Sequence, residues 1–295
     1  MTTRQIGGLA ATVEVGRVET LTPLMRRITV TGAGLRAFAD VHLPGDAVKV
    51  ALTAQGRSAE LDPDDRSAPL HERLAAAGLV TRVYTLRDLA GDTAFLDVLL
   101  HAQGPGAAWG VLARPGDRVT IAGPAYGHAA DPGAGEFVLI ADHAALPALA
   151  ETARALPAGA TAHAYVALSG PGEAQKVVSP ARVRAHWITP ADPGSVEERT
   201  RALLEAVRAA PWRVPGTRVW AAGETGLVKA LRRYIRRDLG VPREHARFSG
   251  YWTRGKDLDA ADLAAVPEEL RAAYEAFGYT DNHVIEDIEP SVDLV

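Results

Sequence analysis

The chain has 295 residues, of which 47% are hydrophobic and 23% charged, with a formal net charge of −4. That length suits two domains of ordinary size, and that balance belongs to a folded globular protein rather than a disordered chain. The mild acidity argues against bulk binding to nucleic acid, and the absence of cysteine excludes disulfides, thiolate nucleophiles, zinc fingers and iron–sulfur clusters. Redox chemistry, if present, must come from a bound organic cofactor or from a substrate metal.

The opening "MTTRQIGGLAATVEV" lacks the apolar core of a signal peptide, and the most apolar window, "EFVLIADHAALPALA", is too short and too interrupted to span a bilayer. A cytoplasmic protein with no membrane partner is expected. From residue 12 the chain reads as short strands, "ATVEVGRVETL", "MRRITVTG" and "AVKVALTA", punctuated by Gly and Pro. Such spacing predicts a small antiparallel barrel or sandwich. Residues 56–80 turn acidic and then helical, as an insertion over the barrel. Two strands follow, "TRVYTLRDL" and "TAFLDVLLH", then a short helix, a turn at Pro115–Asp117 and a last strand. "ADPGAG" at 130–135 reads as a linker.

Beyond it the period changes. "EFVLIAD" is a continuous apolar run of the kind buried on both faces of a parallel sheet, and "ALPALAETARAL" after it is helical. "TAHAYVALSG", "RAHWITP", "TRVWAAG" and "ARFSGYWTRGK" read as further strands. "SVEERTRALLEAVRAA" and "TGLVKALRRYIRRDLG" read as helices, the first with Ser195 and Glu198 at capping-box spacing. The expected organisation is an N-terminal antiparallel β-barrel over residues 1–132, a doubly wound α/β parallel-sheet domain over 133–256, and an acidic extension over 257–295.

The most suggestive stretch is "RVYTLR", residues 82–87. Strand alternation puts Arg82 and Tyr84 on one face, Thr85 and Arg87 on the other. A guanidinium can hold a pyrophosphate through two parallel hydrogen bonds, a phenol ring offers a stacking face for an isoalloxazine, and Thr85 can bond a ring nitrogen. An exposed edge strand with snorkelling arginines fits the hexapeptide equally well. "HAQGPGAAW", 101–109, adds a glycine-bearing turn entering a helix, whose backbone N–H groups can face phosphate. In the second half, Gly223 and Glu224 stand where a parallel strand passes into a helix, the usual ligand end of an α/β sheet. That helix carries Lys229, Arg232, Arg233, Arg236 and Arg237 as one basic stripe, which also fits a solvated face. No metal-ligand spacing, G-x-S-x-G motif or P-loop occurs.

With these residues in view, the chain resembles the siderophore-interacting protein family, FAD-dependent ferric-siderophore reductases of the ferredoxin-reductase-like superfamily. The likeness runs in order over nearly all of residues 12–256. Arg82-Val83-Tyr84-Thr85 matches the family's R-x-Y-T flavin motif. His101, Gly104, Pro105 and Trp109 match its H-G-x-G-P-x-x-x-W segment, with Gly106, Ala107 and Ala108 in between. "AAGE" before a basic helix and "GYWTRGK" match its C-terminal block, and "VKVAL" matches its H-V-K-L segment.

The resemblance implies that Arg82 binds FAD phosphate, Tyr84 stacks on the flavin, Thr85 lies near its reactive edge, and the 101–109 segment wraps the pyrophosphate. It also implies NAD(P)H as co-substrate, docking near Asp142 and Gly223–Glu224, and an anionic ferric siderophore drawn in by Lys49, Arg254 and Lys256. Three departures stand out: Ala107 where the family has serine, Ala125 where it has a basic residue, and His143-Ala144 where it has Glu-Thr. They leave open a second expectation, a relative diverted to a biosynthetic step or using FAD without reduction.

Overall fold

The structure, a computed structural model, describes residues 9–62, 64, 65, 67, 68, 70–100, 104–125, 127, 130–212 and 216–254. Its first half is a closed six-stranded antiparallel barrel of β1 (Leu9–Thr22), β2 (Met25–Thr31), β3 (Ala47–Leu52), β4 (Val80–Ala90), β5 (Thr93–Leu99) and β6 (Arg118–Ala125). The strands run β1-β2-β5-β4-β3-β6 round the barrel, and β6 closes on β1. Closure follows from the period-two pattern read in the sequence. Val13, Val15, Ile28, Val30, Val50, Leu52, Leu86, Leu96, Val98, Val119 and Ile121 all turn inward and form one buried core. Helices α1 (Leu35–Ala39), α2 (Leu70–Ala76) and α3 (Pro105–Leu112) lie in the connections. The 56–80 insertion is stitched to the barrel at its start, where Ser58 bridges Leu52 and the Leu61 N–H donates to Thr120 Oγ1 at 2.8 Å.

The second half is a five-stranded parallel sheet of β7 (Glu136–Ala141), β8 (Thr161–Ala167), β9 (Arg182–Ile188), β10 (Thr217–Glu224) and β11 (Ala246–Trp252), in the order β11-β10-β7-β8-β9. Helix α4 (Leu146–Arg154) covers one face through Leu146 and Leu149. Helices α5 (Val196–Arg208) and α6 (Thr225–Arg233) cover the other through Leu203, Val207, Leu227 and Leu231. Burial on both faces is why β7 reads as an unbroken apolar run. The Ser195 hydroxyl caps α5, accepting the Glu198 N–H at 3.2 Å. The last expected helix divides: α6 ends at Arg233 and a π-helical turn, Tyr234–Asp238, follows. Among the described residues no helix is long and apolar enough to cross a membrane.

Polar contacts join the halves, among them the ion pair of Arg154 on α4 with Asp88 on β4. Arg87 on β4 reaches Glu151 on α4 at 3.2 Å and also meets Asp97 on β5, which Arg27 holds with bonds of 2.7 and 2.8 Å. Glu173, in the β8–β9 connection, accepts from the Thr22 hydroxyl and from the Leu24 N–H at 3.1 Å, at the β1–β2 turn.

Candidate functional site

The site begins with how β4 shares its pairing. Residues Val80–Thr85 pair with β3, whereas Leu86–Ala90 pair with β5. On the far side, Met25 to Thr31 of β2 pair with β5 up to Leu99. The β5-facing edge of Arg82–Thr85 therefore has no strand against it, and the barrel wall opens into a split between β4 and β5. An open edge presents backbone N–H and C=O groups that need partners.

Helix α3 stands at that split. Gly104 precedes it at φ +106°, Pro105 occupies its first turn, and Pro105–Gly110 are buried. The Trp109 ring lies 5.4 Å from the Tyr84 ring at 40°, and its indole N–H donates to Ser58 Oγ at 2.9 Å. A Cβ on Gly56 would come within 2.5 Å of the Pro105 carbonyl and the Ala108 methyl, so the 53–57 turn grips α3 at van der Waals contact. Ala107 is fully buried, and its backbone belongs to the first turn, whose N–H groups lack intrahelical acceptors.

The register assigns faces. Arg82 lies opposite Val50 and Tyr84 opposite Val48, both core residues, so Arg82 and Tyr84 point to the inner side of the wall at its open end. Tyr84 is half-buried against the core. Thr85 and Val83 point outward, opposite Ala47 and Lys49. Lys49 is exposed, and as a diagonal neighbour it stands roughly 7–8 Å from Thr85. Arg87 belongs to the ion cluster between the halves and not to the split. His101, Lys256 and the 257–295 segment lie outside the described residues, as do the side chain of Ala125 and the placement of Tyr126.

A second constellation occupies the carboxyl ends of β7 and β10, where the strand order reverses direction from the centre of the sheet. Asp142 is buried there and faces three internal donors. Oδ2 accepts from the Glu224 N–H and the Trp252 indole N–H, each at 2.7 Å, and Oδ1 accepts from the Ala145 N–H at 3.0 Å. Burial pushes its pKa above the ordinary aspartate value, against the pull of those donors. Gly223, at φ +146°, leaves room for this: a Cβ would lie 2.6 Å from the Asp142 carboxyl carbon. Glu224 caps α6, accepting the Leu227 N–H at 2.8 Å, and accepts the Arg254 N–H at 3.3 Å. The Arg254 guanidinium pairs with Glu197. These carboxylates thus hold the strand ends together through internal hydrogen bonds.

His143 is buried beside them. Its Nδ1 is 3.4 Å from Ser169 Oγ and its Nε2 is 3.5 Å from Glu173 Oε2. Burial, and then the charge of Arg199, lower its pKa to about 3, so the ring is neutral and its approach to Glu173 is not an ion pair.

Comparison with known proteins matches this arrangement to one family. Residues 14–128 match the family model described as "Siderophore-interacting FAD-binding domain", and residues 134–255 match "Siderophore-interacting protein". The chain belongs to the siderophore-interacting protein family. A "siderophore utilization protein from T. fusca" shares 28% identity and superposes with a TM-score of 0.68, over 85% of this chain and 95% of that one. "Ferric vibriobactin reductase ViuB" of Vibrio cholerae is 24% identical over 79% of this chain and 86% of its own length. A ferredoxin NADP+ reductase from Neisseria gonorrhoeae, at 14% identity and a TM-score of 0.52 over 77% and 91%, shares the fold. The architecture is therefore ferredoxin-reductase-like.

Sequence reading missed several residues around the site. Ser58 and Gly56 support α3 from a segment read only as an insertion. Trp252 and Glu173 act through contacts far apart in the chain, for which the sequence carries no local signal, and Ala145 closes the local turn after Asp142.

Proposed function

We propose that this member of the siderophore-interacting family is an FAD-dependent reductase of ferric siderophores, with NAD(P)H as its electron source. One observation carries the reading: the split between β4 and β5, with a cation, an aromatic pair and a helix start gathered along it. The residues present fit FAD. Arg82 and the N–H groups of the Gly104–Ala108 turn suit a pyrophosphate, the Tyr84 ring suits an extended planar system, and the open strand edge offers N–H and C=O partners to polar ring atoms. Ala107 in place of serine withdraws one hydroxyl and keeps the backbone donor.

FAD, when bound, supplies two-electron uptake from a nicotinamide and one-electron delivery to iron. The protein supplies position and field. Tyr84 and Trp109 shield the inner side of the split from water, and Thr85 offers a hydroxyl on the outer side. Lys49 draws an anionic chelate to that outer face, with Lys256 as a further cation and Arg254 as another once an anion displaces its Glu197 partner. The strand ends at Asp142 and Gly223–Glu224 offer NAD(P)H a surface fixed by internal hydrogen bonds. One NAD(P)H and two Fe(III) chelates yield NAD(P)+, two Fe(II) and one proton. Ferrous iron holds hard anionic oxygen donors less tightly than ferric iron, so reduction releases it. The name of the ViuB relative supports this substrate class.

An anaerobic absorbance titration tests the proposal. The purified protein should show flavin bands that bleach with NADPH or NADH and return when a ferric siderophore is added. Bands that stay oxidised with both nicotinamides, or reduced bands that a ferric chelate leaves unchanged, would overturn it.

A further inference from the structure

Two features of the sequence have no part in that reading: the basic face of α6 and the acidic final segment. Leu227, Val228, Leu231 and Ile235 bury one side of α6 and the turn after it. Lys229, Arg233 and Arg237 are exposed on the other side, with Arg236 half-buried beside them. Some exposed arginines elsewhere pair with carboxylates: Arg118 with Glu60 at 2.7 Å, and Arg201 with Glu205 at 2.9 Å. Among the described residues, no carboxylate pairs with Lys229, Arg233, Arg236 or Arg237. Like charges at i, i+4 repel one another along such a face.

The opposite charge is concentrated at the end of the chain. Residues 257–295 hold 11 acidic residues and one basic residue, Arg271, a formal charge of −10. The whole chain is −4, so residues 1–256 are +6. The chain path brings the two together. The Thr225 hydroxyl donates to the Trp252 carbonyl at 2.9 Å and the Arg254 N–H donates to Glu224 at 3.3 Å, so the chain leaves β11 beside the first residue of α6. From there α6 and its π turn run for 14 residues, about 21 Å, which 39 residues exceed several-fold at roughly 3.3 Å each. A tether of this kind gives an effective concentration on the order of millimolar, enough for charge pairing at moderate ionic strength.

We infer that residues 257–295 dock on the basic face of α6 in the same chain. The surface accepts an acidic peptide, and the peptide is this chain's own. The inference rests on the α6 face and the final segment alone, and its test does not read the reductase proposal.

Carbodiimide cross-linking of the full-length protein tests it, because the reagent joins lysine amines to carboxylates in contact. The chain has only four lysines, at 49, 176, 229 and 256, and Lys229 alone lies on α6. At 20 mM NaCl, Lys229 should link to carboxylates of 257–295 within single chains, scored in a mixture of 14N- and 15N-labelled protein. The yield should fall at least fivefold at 500 mM NaCl and in R233E/R236E/R237E, with a smaller fall in R233Q/R237Q, whose milder change guards against misfolding. Absence of the link, a link only between differently labelled chains, or a yield indifferent to salt and to both variants would each overturn the inference.

Discussion

Arg82 and Arg87 lie five residues apart on one strand and face opposite ways. Arg82 points to the inner side of the barrel wall where β4 leaves β5, and Arg87 points outward into Asp97 and Glu151. Alternation in the sequence separates the two faces but does not say which one meets a ligand. Arg82→Ala removes the only cation that the strand turns toward the split, so FAD occupancy of the purified protein should fall roughly tenfold or more, the scale of a charge-assisted pair. Flavin absorbance per protein after gel filtration measures this, and unchanged occupancy would remove Arg82 from the phosphate role. Lys49, exposed on the outer face, is the cation we propose to attract the substrate. Lys49→Ala with Lys256→Ala should raise KM for a ferric chelate several-fold, steepest at low salt, with flavin content unchanged. An unaltered KM would place the chelate elsewhere.

At the scale of elements, strand and helix patterns were legible because their periods are local. Barrel strands alternate, β7 does not, and Ser195 marks the start of α5. The split of β4 was not legible, because it depends on which strand pairs with each half of β4, a matter of register between distant segments. That split makes a prediction for backbone exchange. Adding FAD to the apoprotein should slow hydrogen exchange at Arg82–Thr85 and in the first turn of α3. Leu86 and Arg87, paired with β5, should exchange slowly in both states. Protection confined to α3, with β4 unchanged, would mean that the open edge does not meet the cofactor.

At the scale of the whole molecule, buried polar residues join the barrel to the sheet. Glu173 ties the β1–β2 turn, and neutral His143 packs against Glu173 and Ser169. His143 has a folded pKa of about 3 against 6.5 when exposed, so below pH 6.5 the unfolded chain binds a proton that the folded one refuses. The stability this neutrality confers is present above pH 6.5 and is lost as pH falls toward 3. Between pH 7 and pH 5 the loss is about 2 kcal/mol. Urea unfolding at the two pH values should show that increment in the native protein and not in His143→Asn. Equal losses in both would mean that His143 takes up its proton without unfolding.

Composition, period and motif by themselves determined the barrel-then-sheet order, the exclusion of cysteine chemistry and the short list of residues along β4 and α3. All of these rest on interactions within a few residues or on chemical identity. Tertiary structure decided three other things: the opening of the wall between β4 and β5, the internal use of Asp142 and Glu224, and the burial of His143 against Glu173. Each depends on groups brought together from segments far apart in the chain. Burial then sets their charge and their partners, and neither period nor motif records which segments will meet.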